Sequence, residues 1–185
     1  MMYLAGTVGF VAVLIVLWAI GVYNRLVKLR NLKEEGWSGI DVQLKRRHDL
    51  VGNLVSSVKG YMVHEKGVLE EVTSKRAESQ KASGMAATMA AEAGLSGALS
   101  RLFAVMENYP DLKASTNVLE LQKSLEDLEN QIQMARRYYN GTVRDLNTQI
   151  QTFPANLVAR KFSFTEGEFF ELDNVAERIA PTVSF

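Results

Sequence analysis

Residues 3–22 read YLAGTVGFVAVLIVLWAIGV, a run without a single charged side chain at the start of the chain. At a rise of about 1.5 Å per residue, a helix of this length covers about 30 Å, the thickness of a bilayer's hydrocarbon core. Arg25, Lys28, Arg30 and Lys33 follow immediately, and no Lys or Arg precedes the run. The pattern predicts a single N-terminal transmembrane helix over residues 1–23, with Tyr3, Val11, Leu14, Leu17, Trp18 and Tyr23 facing lipid or its headgroup layer. Amphipathic rings favour that layer, which suits Tyr3, Trp18 and Tyr23 at the two ends. Ala5 and Gly9 add one small-xxx-small spacing that permits close approach of another helix.

Two other readings of the run compete. A secretory signal has a basic n-region and a shorter apolar core; here only Met1 and Met2 precede the run, although Ala19-Ile20-Gly21 forms a weak cleavage-like site. A buried core helix of a soluble domain is usually shorter and carries a polar face. An uncleaved anchor fits best. The basic flank Arg25, Lys28, Arg30 and Lys33 predicts a single-pass protein of the cell membrane with its N-terminus outside and its body in the cytoplasm.

Composition narrows what the body can be. The chain has 21 basic and 21 acidic residues, which argues against nucleic acid as the main partner. With no cysteine, a disulfide framework, a cysteine-ligated metal and bacterial lipoprotein attachment are all excluded. Only Pro110, Pro154 and Pro181 interrupt the chain, so long helices are possible.

Over residues 24–80, Ile40, Leu44, Val51, Leu54 or Val55, Val58, Tyr61 or Met62, Leu69 and Val72 advance by threes and fours. This is an amphipathic period, and it predicts one long helix, bent at most by its glycines. Polar residues 79–84 suit a loop. Residues 85–108 predict a second helix with Met89, Leu95, Leu99, Leu102, Phe103 and Met106 on its core face, stopped by Pro110.

The third segment has the cleanest period. Asn117 and Glu120 form a capping-box pattern, with Ser115 and Thr116 as alternative caps. Val118, Leu121, Leu125, Leu128, Ile132, Ala135, Tyr139, Val143, Leu146, Ile150 and Phe153 then form a coiled-coil-like stripe. Its partner is either the stripe of the first helix, giving an antiparallel bundle, or the same stripe on another chain. A short helix is expected near residues 155–160. The fold class is therefore all-α: the membrane helix, a bundle of three to four helices over residues 24–160, and a C-terminal tail over 161–185. That tail is aromatic, with Phe162, Phe164, Phe169, Phe170 and Phe185, and should pack on the bundle or on a neighbouring subunit.

No catalytic constellation emerges. His48 and His64 are too far apart to chelate from one helical face and are read as solvated or interfacial. His64-Glu65 lacks the second histidine of a zincin helix, and neither a G-x-S-x-G elbow nor a phosphate-binding glycine loop is present. The densest basic cluster, residues 45–48, could reach anionic headgroups only if the helix leaned on the bilayer. No cofactor and no metal ligand set is expected.

The segments YNRLVKLRN, GWSGIDVQLKRRHDLVGNLVSSVKGYMVHE, ARRYYN and FPANLVARKF resemble the LemA family. The resemblance implies a bacterial protein with an N-terminal anchor, a long-helix bundle on the cytosolic side and a role in membrane organisation; it implies no reaction, cofactor or substrate. Against that pattern Gly36 replaces a usual alanine, Gly52 a common proline that would kink the helix, and Ser163 a usual glycine. The expected function is a non-enzymatic scaffold that self-associates at the membrane and organises or remodels it. The alternative is an adaptor that docks a separate membrane enzyme or sensor, such as a membrane protease. Candidate interface residues are Trp37, Tyr138, Tyr139, Phe162, Phe164, Phe169 and Phe170. The expected partners are the lipid bilayer, further copies of the chain, and an unidentified membrane protein.

Overall fold

The computed structural model of the chain describes residues 2–170. These residues form six α-helices and no strand: α1 (Met2–Val58), α2 (Lys66–Lys81), α3 (Met85–Met106), α4 (Pro110–Ala114), α5 (Thr116–Gln151) and α6 (Ala155–Lys161). The all-α expectation holds. The part of the tail beyond Phe170, Phe185 included, lies outside the described residues.

Three boundaries differ from the sequence reading. The helix expected over 24–80 ends at Val58, and α2 begins only at Lys66. Between them the chain turns through short-range bonds, Tyr61 N–H and Met62 N–H to the Val58 carbonyl and Glu65 N–H to the Met62 carbonyl. The apolar period misleads here because Val58, Met62, Leu69 and Val72 are all buried on either side of the turn. Pro110, expected only to stop a helix, also opens α4, where its missing N–H has no role. Finally, α5 starts before Asn117: the Ser115 carbonyl accepts from Val118 and Leu119, so Asn117 lies within the first turn and the alternative cap position, Ser115, is the one that precedes the helix.

The chain divides into two compact units, one of residues 1–50 with 123–169 and one built on 51–122. In the first, α1 and α5 run antiparallel, as successive contacts show. Leu26 shares a cluster with Leu146, Gly36 lies against Tyr139, and Arg47 pairs with Glu129. Within this unit the α5 stripe is thus covered by α1 of the same chain. Leu26, Ile40, Ile132, Val143 and Leu146 are at most 1% exposed, each burial worth about 1.5–3 kcal/mol. At Gly36 the helices approach so closely that an added Cβ would lie 3.2 Å from the Tyr139 Cα, so the α5 backbone would have to give by a few tenths of an ångström. Phe153, read as the last member of the stripe, is instead 75% exposed.

In the second unit α2 and α3 form an antiparallel hairpin. Glu71 pairs with Arg101, and the buried Ser79 hydroxyl donates to the buried Glu92 carboxylate. Ser79, expected in a loop, is therefore in the last turns of α2. Leu69 and Val72 of α2 and Leu95, Leu99 and Leu102 of α3 are all buried where the two helices pack, as expected.

Candidate membrane-interface site

The described part of the apolar run is entirely uncovered by protein up to Trp18. Val11, Leu14 and Leu17 stand 51%, 49% and 60% exposed, and Tyr3 more so. It is the one helix among the described residues long and apolar enough to cross a membrane. Cover begins with its last turn. Ala19 and Val22 pack against the cluster of Leu26, Leu146, Val158 and Ala159. The core of the first unit therefore starts inside the run, not after a spacer.

What packs there is the corner between α5 and α6. The α5 backbone ends at Gln151, and Thr152 N–H bonds the Thr148 carbonyl. The Phe153–Pro154 peptide is cis, and α6 leaves at once, with Leu157 N–H on the Pro154 carbonyl. The end of α6 is a Schellman motif: Ser163 has φ 56°, its N–H bonds the Arg160 carbonyl, and Phe164 N–H bonds the Ala159 carbonyl. This turn needs a left-handed residue, a conformation that glycine adopts most readily and that Ser163 holds here.

The motif fixes the aromatic residues after it. The Tyr23 ring meets Phe162 edge-on at 4.8 Å and Phe164 at 5.8 Å, and the Arg30 guanidinium stands 5.5 Å from the Phe164 ring centre. A notch of about 510 Å³ separates the two chain segments, lined by Trp18, Val22 and Arg25 on one side and Gln149, Phe153 and Ala155 on the other. Phe153, Leu157 and Phe162 remain 75%, 56% and 55% exposed. Arg160 and Lys161 occupy the last turn of α6, and both are exposed. Beyond the motif, Asn147 and Gly167 exchange two hydrogen bonds, 2.9 and 2.8 Å, that hold the following segment on α5.

The expected site residues fall into distinct places. Arg25, Lys28 and Arg30 are exposed and Lys33 half-buried on the turns after the run. Tyr138 is 50% and Phe169 40% exposed, and Trp37 packs edge-on against Tyr139 at 5.7 Å. Tyr139 and Phe170, proposed as docking positions, are 3% and 4% exposed and present no surface for a partner. The Tyr139 hydroxyl donates to the Glu168 carbonyl at 3.0 Å, and burial, then the Glu168 charge, raises its pKa above the ordinary 10.

His48 is buried, not solvated, whereas His64 is exposed. Two members of the basic cluster of residues 45–48 turn toward α5, while Lys45 is exposed. Arg46 donates to Gln131 at 3.1 Å, and Arg47, nearly buried, lies 3.4 Å from Glu129. The sequence reading missed Phe153, Leu157, Arg160 and Lys161 as neighbours of the run. The signal available was the exposed-length mixture of rings and bases in FPANLVARKF, next to a proline that ends the α5 period.

A family model described as LemA family matches residues 36–185. The chain belongs to the LemA family. It is 28% identical over 165 residues to Protein LemA of Metamycoplasma hominis, covering 86% of this chain and 73% of that one. It is also 26% identical over 175 residues to Magnetosome protein MamQ 2 of Paramagnetospirillum magneticum, and over 174 residues to Magnetosome protein MamQ of Magnetospirillum gryphiswaldense. Those alignments cover 80% of this chain and 64% of each magnetosome protein, so the LemA-family chain spans under two thirds of their length. None of these relatives is named for a reaction. The match takes in α1 from Gly36 onward together with α5 and the α6 corner, while the apolar run and its basic flank precede it. This LemA-family protein is thus a membrane-associated helical protein.

Proposed function

We propose that the chain is a non-enzymatic scaffold, anchored by α1 and self-associating beside the membrane to organise it. The observation that carries the reading is the continuity of α1. A single helix runs from the exposed apolar segment into the α1–α5 pair, so the body is held to its anchor with no flexible joint. An anchor of this kind transmits position and orientation, which a scaffold needs and a tethered enzyme does not.

Three polar contacts inside the helices support the same reading, because their roles are structural. Arg47 pairs with Glu129, Glu92 accepts from Ser79, and Asn147 clasps Gly167. Met134 and Tyr138, one turn apart on α5 and 54% and 50% exposed, offer an apolar contact for a second copy. The test is a bifunctional crosslinker applied to native membranes containing the full-length chain. Self-adducts that weaken in Tyr138→Arg support the scaffold; a monomer at every concentration overturns it.

One observation favours an adaptor as a second reading. A cleft of about 780 Å³ opens in the second unit, lined by Val55, Met62, Val63, Leu69, Thr73 and Ala77. Its apolar walls suit a side chain or helix from a membrane enzyme or sensor. In the same crosslinking experiment, a reproducible foreign adduct lost on Val63→Asp supports this alternative.

A further inference from the structure

We propose that the corner between α5 and α6 is a membrane foot. Phe153, Leu157 and Phe162 enter the interfacial layer of the bilayer beside the end of the α1 span, and Arg160 and Lys161 bind anionic lipid headgroups there. The inference rests on α1 being a membrane span.

Depth is the first argument. A run over residues 3–22 matches the hydrocarbon core only if its last turn lies at the boundary with the headgroups. That last turn is where Ala19 and Val22 already pack against the cluster that joins Leu26 and Leu146 to Val158 and Ala159 of α6. The body therefore cannot stand away from the bilayer on a stalk. One face of α6 is committed to α1, and what projects from the corner lies within about one helical turn, or 5.4 Å, of the same depth.

Chemistry is the second. Phe153, Leu157 and Phe162 are exposed within ten positions, while Ala155, Val158 and Ala159 between them are buried. The corner thus buries one face of α6 in the protein and leaves Leu157, with the flanking Phe153 and Phe162, as an apolar patch. In water that patch is unfavourable. At a bilayer surface, an apolar face sinks about 5–10 Å into the boundary between headgroups and acyl chains. Charge is the third. Arg160 and Lys161 end the same helix, and Arg25 lines the notch beside it, so the apolar patch has a basic rim of the kind that attracts anionic lipid. Glu166, the nearest acid along the chain, is held by Gln151 at 3.0 Å. A lipid surface, being apolar at depth and anionic at its face, matches both halves of the site.

The natural chain lacks cysteine, so single thiols can be placed freely. Full-length Leu157→Cys, Leu14→Cys and Ser124→Cys, each carrying an environment-sensitive fluorophore, would be placed in phosphatidylcholine–phosphatidylglycerol nanodiscs containing nitroxide lipid. The labels at 157 and 14 should be quenched to about half their intensity, and the label at 124 unchanged. Quenching at 157 should be about twofold weaker in phosphatidylcholine alone, and Arg160→Gln with Lys161→Gln should remove that difference. Quenching at 14 without quenching at 157 overturns the foot and leaves the span standing. Quenching at neither overturns the span as well. Thiol crosslinks between copies at 157 in the absence of lipid quenching assign the corner to a second copy and also overturn the proposal.

Discussion

Single residues carry more of this fold than its helical regularity suggests. Ser163 holds a left-handed conformation at the end of α6, which for an L residue other than glycine costs about 1 kcal/mol or more. Ser163→Gly should therefore stabilise the chain by about 0.5–1 kcal/mol, read as a rise in the thermal midpoint in detergent. A variant that melts lower would show that the serine side chain supplies something the turn needs. Tyr139 makes a different prediction. Below pH 10 its phenol is protonated whether the chain is folded or not, so it adds no pH dependence. Above that, the unfolded chain loses the proton while the buried phenol keeps it, its pKa being raised by burial and by Glu168. Unfolding then releases a proton, and stability falls as pH rises through the folded value. Tyr139→Phe should cost about 1 kcal/mol at neutral pH through the lost bond to the Glu168 carbonyl. It should also flatten the alkaline decline in denaturation curves collected across that range.

At the scale of elements, the pairing of α1 with α5 decides which leucines matter. Leu146 is 1% exposed in the cluster under α6, whereas Leu119, on the same helix, is 49% exposed. Leu146→Ala should lower unfolding free energy by about 3 kcal/mol in a chemical denaturation series, and Leu119→Ala by about 0.5 kcal/mol or less. Equal effects would mean that α5 is buried on a face other than the one its period predicts. That period was the most legible feature of the chain: Val118, Leu125, Leu128, Ile132, Tyr139, Val143 and Leu146 are all buried, as their spacing requires. The break after Val58 was not legible, because buried residues keep the same spacing through the turn and only the backbone reverses. Glu92 escaped for the opposite reason. It shares the inward stripe of α3 with Leu95, Leu99 and Leu102, but a carboxylate among alanines reads as solvated until Ser79 is seen to meet it. At Gly52, where the family resemblance implied a kinking proline, α1 continues without interruption. The α6 corner was half legible: its residues were visible as a motif, but a helix of seven residues has no period to show which ring faces the protein.

At the scale of the whole molecule, two sets of basic residues lie near the end of the apolar run and should act at different times. Arg25, Lys28, Arg30 and Lys33 follow the run directly, so they are present when the nascent chain is inserted. Arg160 and Lys161 reach the same place only after α5 has folded back along α1. Orientation follows charges within about 15–20 residues of a span, which includes the first set and excludes the second. The wild-type chain should place its body in the cytoplasm, so a thiol at Ser124→Cys should resist a membrane-impermeant maleimide in intact cells and react after lysis. Changing Arg25, Lys28, Arg30 and Lys33 to Gln while adding lysines before Tyr3 should bring at least about half of the molecules to the labelled form. Changing Arg160 and Lys161 to Gln should leave labelling at its wild-type level, even though it weakens contact with anionic lipid. If the second pair alone inverts the protein, folding of the corner precedes insertion, and the order of events argued from the position of the two sets is wrong.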